Sequence, residues 1–158
     1  MLLNNHQGGF TQTISNGGGE AQQPILVDLN GDGNLDLVVG ASIGNGAGVN
    51  LGDGTGAFTA LQSLPGMGAW GAGPGWIVAT DVNGDGIPDI LIQGLDTLVV
   101  YLGEGSATYA PPFYLGLGRD PNDVFFANLH GQSPAAGIPD IVAPDGNSGV
   151  MVLPNTTK

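Results

Sequence analysis

Oxygen-bearing side chains recur at one fixed spacing in two stretches of the chain. In Asp28-Leu29-Asn30-Gly31-Asp32-Gly33-Asn34-Leu35-Asp36 they fall at relative positions 1, 3, 5 and 9, and Asp81-Val82-Asn83-Gly84-Asp85-Gly86-Ile87-Pro88-Asp89 repeats the pattern. A Gly at position 6, Gly33 or Gly86, allows the sharp turn that wraps such a loop around a hard cation. Calcium takes six to eight oxygen ligands, and the main-chain carbonyl at position 7, from Asn34 or Ile87, can add to the side-chain set. The expected ligands are therefore Asp28, Asn30, Asp32, Asn34 and Asp36 in one loop and Asp81, Asn83, Asp85, Ile87 and Asp89 in the other. Position 12, which an EF-hand fills with a bidentate Glu, is Val39 or Ile92 here. The loops are thus expected to join two strands, with the ninth-position Asp opening the second. Asp, Asn and Gly also build turns that hold no metal. What favours the metal is the recurrence of the same residue types, each time ahead of a branched apolar run.

These loops need strands to hold them, and a second repeat supplies the period. Leu2-Leu3-Asn4-Asn5-His6-Gln7-Gly8-Gly9-Phe10, Val49-Asn50-Leu51-Gly52-Asp53-Gly54-Thr55-Gly56-Ala57-Phe58 and Val100-Tyr101-Leu102-Gly103-Glu104-Gly105-Ser106-Ala107-Thr108-Tyr109 each read as a strand, a Gly-rich turn and an aromatic opening the next strand. A fourth copy, Val150-Met151-Val152-Leu153, ends before its turn. Leu3, Leu51, Leu102 and Leu153 stand 48, 51 and 51 residues apart. A period near fifty with four short strands per unit is the mark of β-propeller blades.

The expected fold is all-β, a single segment 1–158 of about three propeller repeats in permuted register. A hairpin at 1–15 supplies the third and fourth strands of a blade, 24–64 and 76–115 form whole blades, and 123–153 forms a blade without its outer strand. Within the second unit the order of the first is expected to run over 76–109. Three repeats are too few to close comfortably, since propellers close with about four to eight blades. The expectation is a part of a larger propeller or a homo-oligomer of head-to-tail copies. The third loop, from Asn128 to Asp140, keeps only Asp140 of the motif, so no tight calcium site is expected there. Its His130 reads as a solvated loop residue rather than a ligand.

Composition narrows the partners. Lys and Arg number 2 against 14 Asp and Glu, a formal charge of −12, so nucleic acid and anionic membrane are not expected as partners. Two calcium ions would offset part of that self-repulsion. There is no Cys for a disulfide or thiolate site, and Met1-Leu2-Leu3-Asn4-Asn5-His6 does not read as a signal peptide.

With DLNGDGNLDLVV, DVNGDGIPDILI and the hairpin strings NLGDGTGAFT and LLNNHQGGFT, the chain resembles the FG-GAP or VCBS repeats. That family includes integrin alpha-subunit propellers, a fungal propeller lectin and many secreted bacterial proteins. The resemblance implies propeller blades, structural calcium in both intact loops, and a secreted or cell-surface location. It implies less about function, because one blade type serves adhesion, sugar binding and scaffolding alike.

Two functions follow as expectations. One is extracellular recognition or adhesion, with a glycan or protein ligand and with Trp70 and Trp76, near the Gly-rich stretch 65–76, as ligand-binding candidates. The other is a purely structural or oligomerising scaffold that binds nothing besides calcium. A polysaccharide-acting enzyme is a third reading with few residues behind it. His6 and His130 stand in no triad spacing, and a carboxylate that holds calcium is a poor general base, so no catalytic residue is expected.

Overall fold

The computed structural model describes residues 2–4, 6–12, 21–41, 46–65, 76–94, 96–117, 124–127, 129, 139–144 and 149–154. Every regular element in this set is a strand. A hairpin of β1 (Leu2–Asn4) and β2 (Phe10–Gln12) comes first. Three antiparallel meanders follow. Sheet one is β3 (Ala21–Val27), β4 (Asp36–Ala41), β5 (Gly46–Gly52) and β6 (Phe58–Pro65), hydrogen-bonded in chain order. Sheet two is β7 (Trp76–Thr80), β8 (Asp89–Gln93), β9 (Thr97–Tyr101) and, beyond a small hairpin, its outer strand β12 (Phe113–Gly116). Sheet three is β13 (Phe125–Ala127), β14 (Asp140–Pro144) and β15 (Val150–Leu153).

Sheet two differs from its expected order at one place. Tyr109 does not open the long outer strand. It belongs to a short hairpin of β10 (Gly103–Gly105) and β11 (Thr108–Tyr109), and the outer strand starts at Phe113. Pro111 and Pro112 lie between the two pieces, and neither can donate a ladder hydrogen bond. The Gly103–Tyr109 pair still matches Gly52–Phe58 of sheet one, where the pairing continues in one strand past a bulge between Val49 and Asn50. A related device bends β3, an edge strand, where the pairing slips between Gln22 and Ile25, around Pro24.

The sheets pack face to face through two apolar layers. Between sheets one and two lie Leu29, Val38, Val49 and Leu64 from the first and Ile77, Ile90, Ile92 and Tyr101 from the second. Tyr101 and Tyr109 meet there edge to face, with ring centroids 6.4 Å apart. Between sheets two and three lie Leu91, Leu98 and Val100 from one side and Ile141, Ala143 and Met151 from the other. β8 therefore reads Asp-Ile-Leu-Ile-Gln without apolar–polar alternation, because Ile90 and Ile92 face sheet one while Leu91 faces sheet three. Burying each such side chain contributes about 1.5–3 kcal/mol.

Candidate metal loops and their strand clamp

Both acidic loops are closed by one shared set of hydrogen bonds, to which the second adds Asn83 N–H to Asp81 Oδ1 at 3.2 Å. In the first, Gly31 N–H donates to Asp28 Oδ1 at 2.8 Å and Gly33 N–H to Asp28 Oδ2 at 2.9 Å. In the second, Gly84 and Gly86 donate to Asp81 in the same way, at 2.6 and 2.8 Å. The position-3 side chains accept from the position-5 amides, Asp32 N–H to Asn30 Oδ1 and Asp85 N–H to Asn83 Oδ1, both at 2.9 Å. The position-5 carboxylates accept from the position-7 amides and from the Asn side chains at position 3. Each loop is thus a chain of Asx turns, and the positive φ of 77° to 85° at Gly31, Gly33, Gly84 and Gly86 suits it. The sequence pattern singled out only the second Gly of each pair.

The position-7 side chains reach the next turn, Asn34 lying against Gly54 and Ile87 against Gly103 and Gly105. The Asn34 side chain also bonds to Asp32 within its own loop, which Ile87 cannot do, so what the two share at this position is the main chain and the cover of the turn.

Position 9 has a role that spacing alone did not reveal. Asp36 and Asp89 are completely buried. Asp36 accepts Leu29 N–H on Oδ2 at 2.8 Å and Gly52 N–H on Oδ1 at 2.9 Å. Asp89 does the same with Val82 and Gly103, both at 2.8 Å. One carboxylate thereby ties the start of the loop, the head of the second strand and the tail of the third. Gly52 and Gly103 must be Gly for this approach: a Cβ on Gly52 would strike the Leu35 carbonyl, and one on Gly103 would lie 2.5 Å from that of Pro88. Sheet three keeps the loop-side bond of the clamp, with Leu129 N–H donating to buried Asp140 at 2.9 Å. The third loop has lost the early acids yet retains this Asp, so the clamp and the acidic loop are separable parts of one motif.

Among the described residues, no three His, Cys, Asp or Glu side chains form a ready metal cluster. The donor set of each acidic loop is instead a mixture of carboxylate and Asn amide oxygens. Asp53 is a turn-former: its Oδ1 accepts from Thr55 N–H, Thr55 Oγ1 and Ala57 N–H, and the Thr55 hydroxyl and amide hold its carboxyl below the usual range. Trp76 opens β7 and is half-buried against the layer between sheets two and three. Trp70 and His130 lie outside the described residues.

No protein-family model matches the chain, and no curated protein matches it. Solved structures do match. A lectin from Agrocybe aegerita, described as specifically recognising non-reducing terminal N-acetylglucosamine, is similar over 85% of this chain with a TM-score of 0.60 and 26% sequence identity. The pore of the Photorhabdus luminescens Tc holotoxin is similar over 82% of this chain with a TM-score of 0.57 and 18% identity, a likeness of fold alone. The chain spans 35% of the lectin's length and 6% of the toxin chain's.

Charge in the loops gives a pH dependence with a definite sign. Burial raises the Asp89 carboxyl above its ordinary value, against the lowering by the Val82 and Gly103 amides, and the charges of Asp85 and Asp81 add to the rise. The folded state then holds the Asp89 proton more readily than the unfolded chain does. Stability should fall as pH rises from the ordinary carboxylate value, about 4, through the raised one. The Asp32 carboxyl is lowered, chiefly by the Asn34 amide, so its contribution is in place above the ordinary value and is lost only below it. Thermal melts in chelator from about pH 4 to pH 7 should therefore show a falling midpoint. A midpoint that rises across this range would contradict the assignment.

Proposed function

We propose that this chain is a calcium-stiffened repeat module of the FG-GAP or VCBS kind, its sheets being propeller blades, that recognises glycans outside the cell. The likeness to the N-acetylglucosamine-recognising lectin carries the recognition part of this reading, since it extends over 85% of the chain. In support of calcium, the two acidic loops share one hydrogen-bond scheme although they belong to different sheets. A carboxylate oxygen that accepts one amide keeps a further lone pair.

The donors fit a hard, oxygen-seeking cation: Asp28, Asn30, Asp32 and Asp36 with the Asn34 carbonyl, and Asp81, Asn83, Asp85 and Asp89 with the Ile87 carbonyl. Calcium would supply charge neutralisation at loops that otherwise gather three carboxylates each. The protein's own residues do the rest, with Asp36 and Asp89 fixing the strand ends and Asn34 and Ile87 bracing the next turn. The role is structural, and no catalytic group is assigned. A location outside the cell fits this reading, because extracellular modules work with calcium sites of modest affinity.

For the ligand, Trp70 remains the candidate on which a sugar ring stacks, with Trp76 as its support. A glycan array with calcium present should show binding to glycans ending in N-acetylglucosamine, weakened at least about tenfold by Trp70→Ala, equivalent to about 1.4 kcal/mol. No binding to any glycan would leave the scaffold alternative. Binding that Trp70→Ala leaves intact would move the ligand site elsewhere.

A further inference from the structure

The strand faces of successive sheets meet twice at the same register positions, with one clamp residue in the layer each time, and the turn that seats this knob is seen for Leu29. Leu29, whose N–H donates to the Asp36 clamp, is 3% exposed and packs with Ala107 and Tyr109 of sheet two, while its carbonyl accepts Ala107 N–H at 3.2 Å. Val82, bonded to Asp89 in the same way, is 9% exposed in the layer against sheet three. Leu129, bonded to Asp140 in the same way, is 53% exposed. The strand face around this third knob is bare as well. Phe125, Val150 and Val152 are 60%, 71% and 43% exposed. In register they match Val78, Leu98 and Val100 of sheet two, and the latter two are 0% and 1% exposed beneath sheet three.

The other end of the stack carries the matching hole. A cavity of about 320 Å³ opens on sheet one, lined by Leu26, Asn34, Leu35, Gly52, Gly54 and Phe58. Leu26 and Leu35 are 50% and 55% exposed. The equivalents on sheet two, around Gly103 and Tyr109, are where Leu29 is seated.

We infer that the bare face of sheet three docks onto the cavity face of sheet one in a second copy of this chain, with Leu129 filling the cavity. What commits the face to this occupant is continuity: the strand faces already meet in this register twice within the chain, with Leu29 seated in a turn once, and the bare face of sheet three and the cavity face of sheet one are the two halves of a further such contact. The contact is heterologous, so it propagates head to tail, into a ring where the rotation closes and an open array where it does not. The inference rests on packing and stands whether or not the loops hold calcium.

Analytical ultracentrifugation of three proteins in calcium buffer tests it: the unaltered chain, Leu129→Asp and Leu26→Asp. Both altered residues are half-exposed, and far-UV circular dichroism checks that the variants fold. The unaltered chain should sediment as a multiple of 15.8 kDa and each variant alone as a monomer. An equal mixture of the two variants should associate again, because one retains the knob and the other the cavity. An unaltered chain that is monomeric overturns the inference. So does a variant that associates by itself, which would indicate a symmetric contact, or a mixture that fails to pair.

Discussion

Asp89→Ala is expected to cost the fold about 3–5 kcal/mol, a large part of the 5–15 kcal/mol typical of a domain. The carboxylate has no exposure to solvent and accepts two amides, Val82 N–H and Gly103 N–H. Alanine leaves both donors buried with nothing to accept them, at about 1–3 kcal/mol apiece, and adds a cavity. Asp89→Asn should fall between, because its single oxygen can serve one donor while its NH₂ group faces the other. By contrast, Asp32→Ala in chelator should cost much less than either, since water can replace an exposed acceptor. Urea unfolding in chelator separates these outcomes from any effect of metal. If Asp89→Ala and Asp32→Ala lose equal stability there, the clamp is not what joins the strands.

Calcium added to the chelated protein is expected to raise the thermal midpoint by about 10–20 °C. Each site filled at a hundredfold excess over its dissociation constant contributes about 2.7 kcal/mol, and a chain of this size gains roughly 2–4 °C per kcal/mol. Asp28→Ala and Asp81→Ala should each halve the rise, and the double variant should abolish it, each rise being read against that variant's own midpoint in chelator. Differential scanning calorimetry with and without chelator reads this directly. A midpoint indifferent to calcium would mean that the Asx turns alone close the loops, and the metal assignment would fail.

Much of this architecture was legible in the residues. The ninth-position Asp and the branched apolar run behind it marked where β4 and β8 open, and the near-fifty period placed Phe58 and Tyr109 at equivalent points of two ladders. The double duty of position 9 was not legible. A carboxylate that accepts amides is spelled the same as one that holds a cation, and its distant donors, Gly52 and Gly103, lie 16 and 14 residues away. Nor could spacing show that Leu129 would stand bare where Leu29 is covered, because that depends on which sheet comes next. Two prolines, rather than any change in the repeat itself, displaced the outer strand of sheet two to Phe113.

The interlock of Leu29 with the turn at Ala107 bears on how such a chain can change in length. Because one sheet meets its neighbour through the same positions each time, a duplicated unit brings its own socket and its own plug. Copy number can then grow or shrink by whole units of about fifty residues without inventing a surface, as in stacked repeat arrays generally.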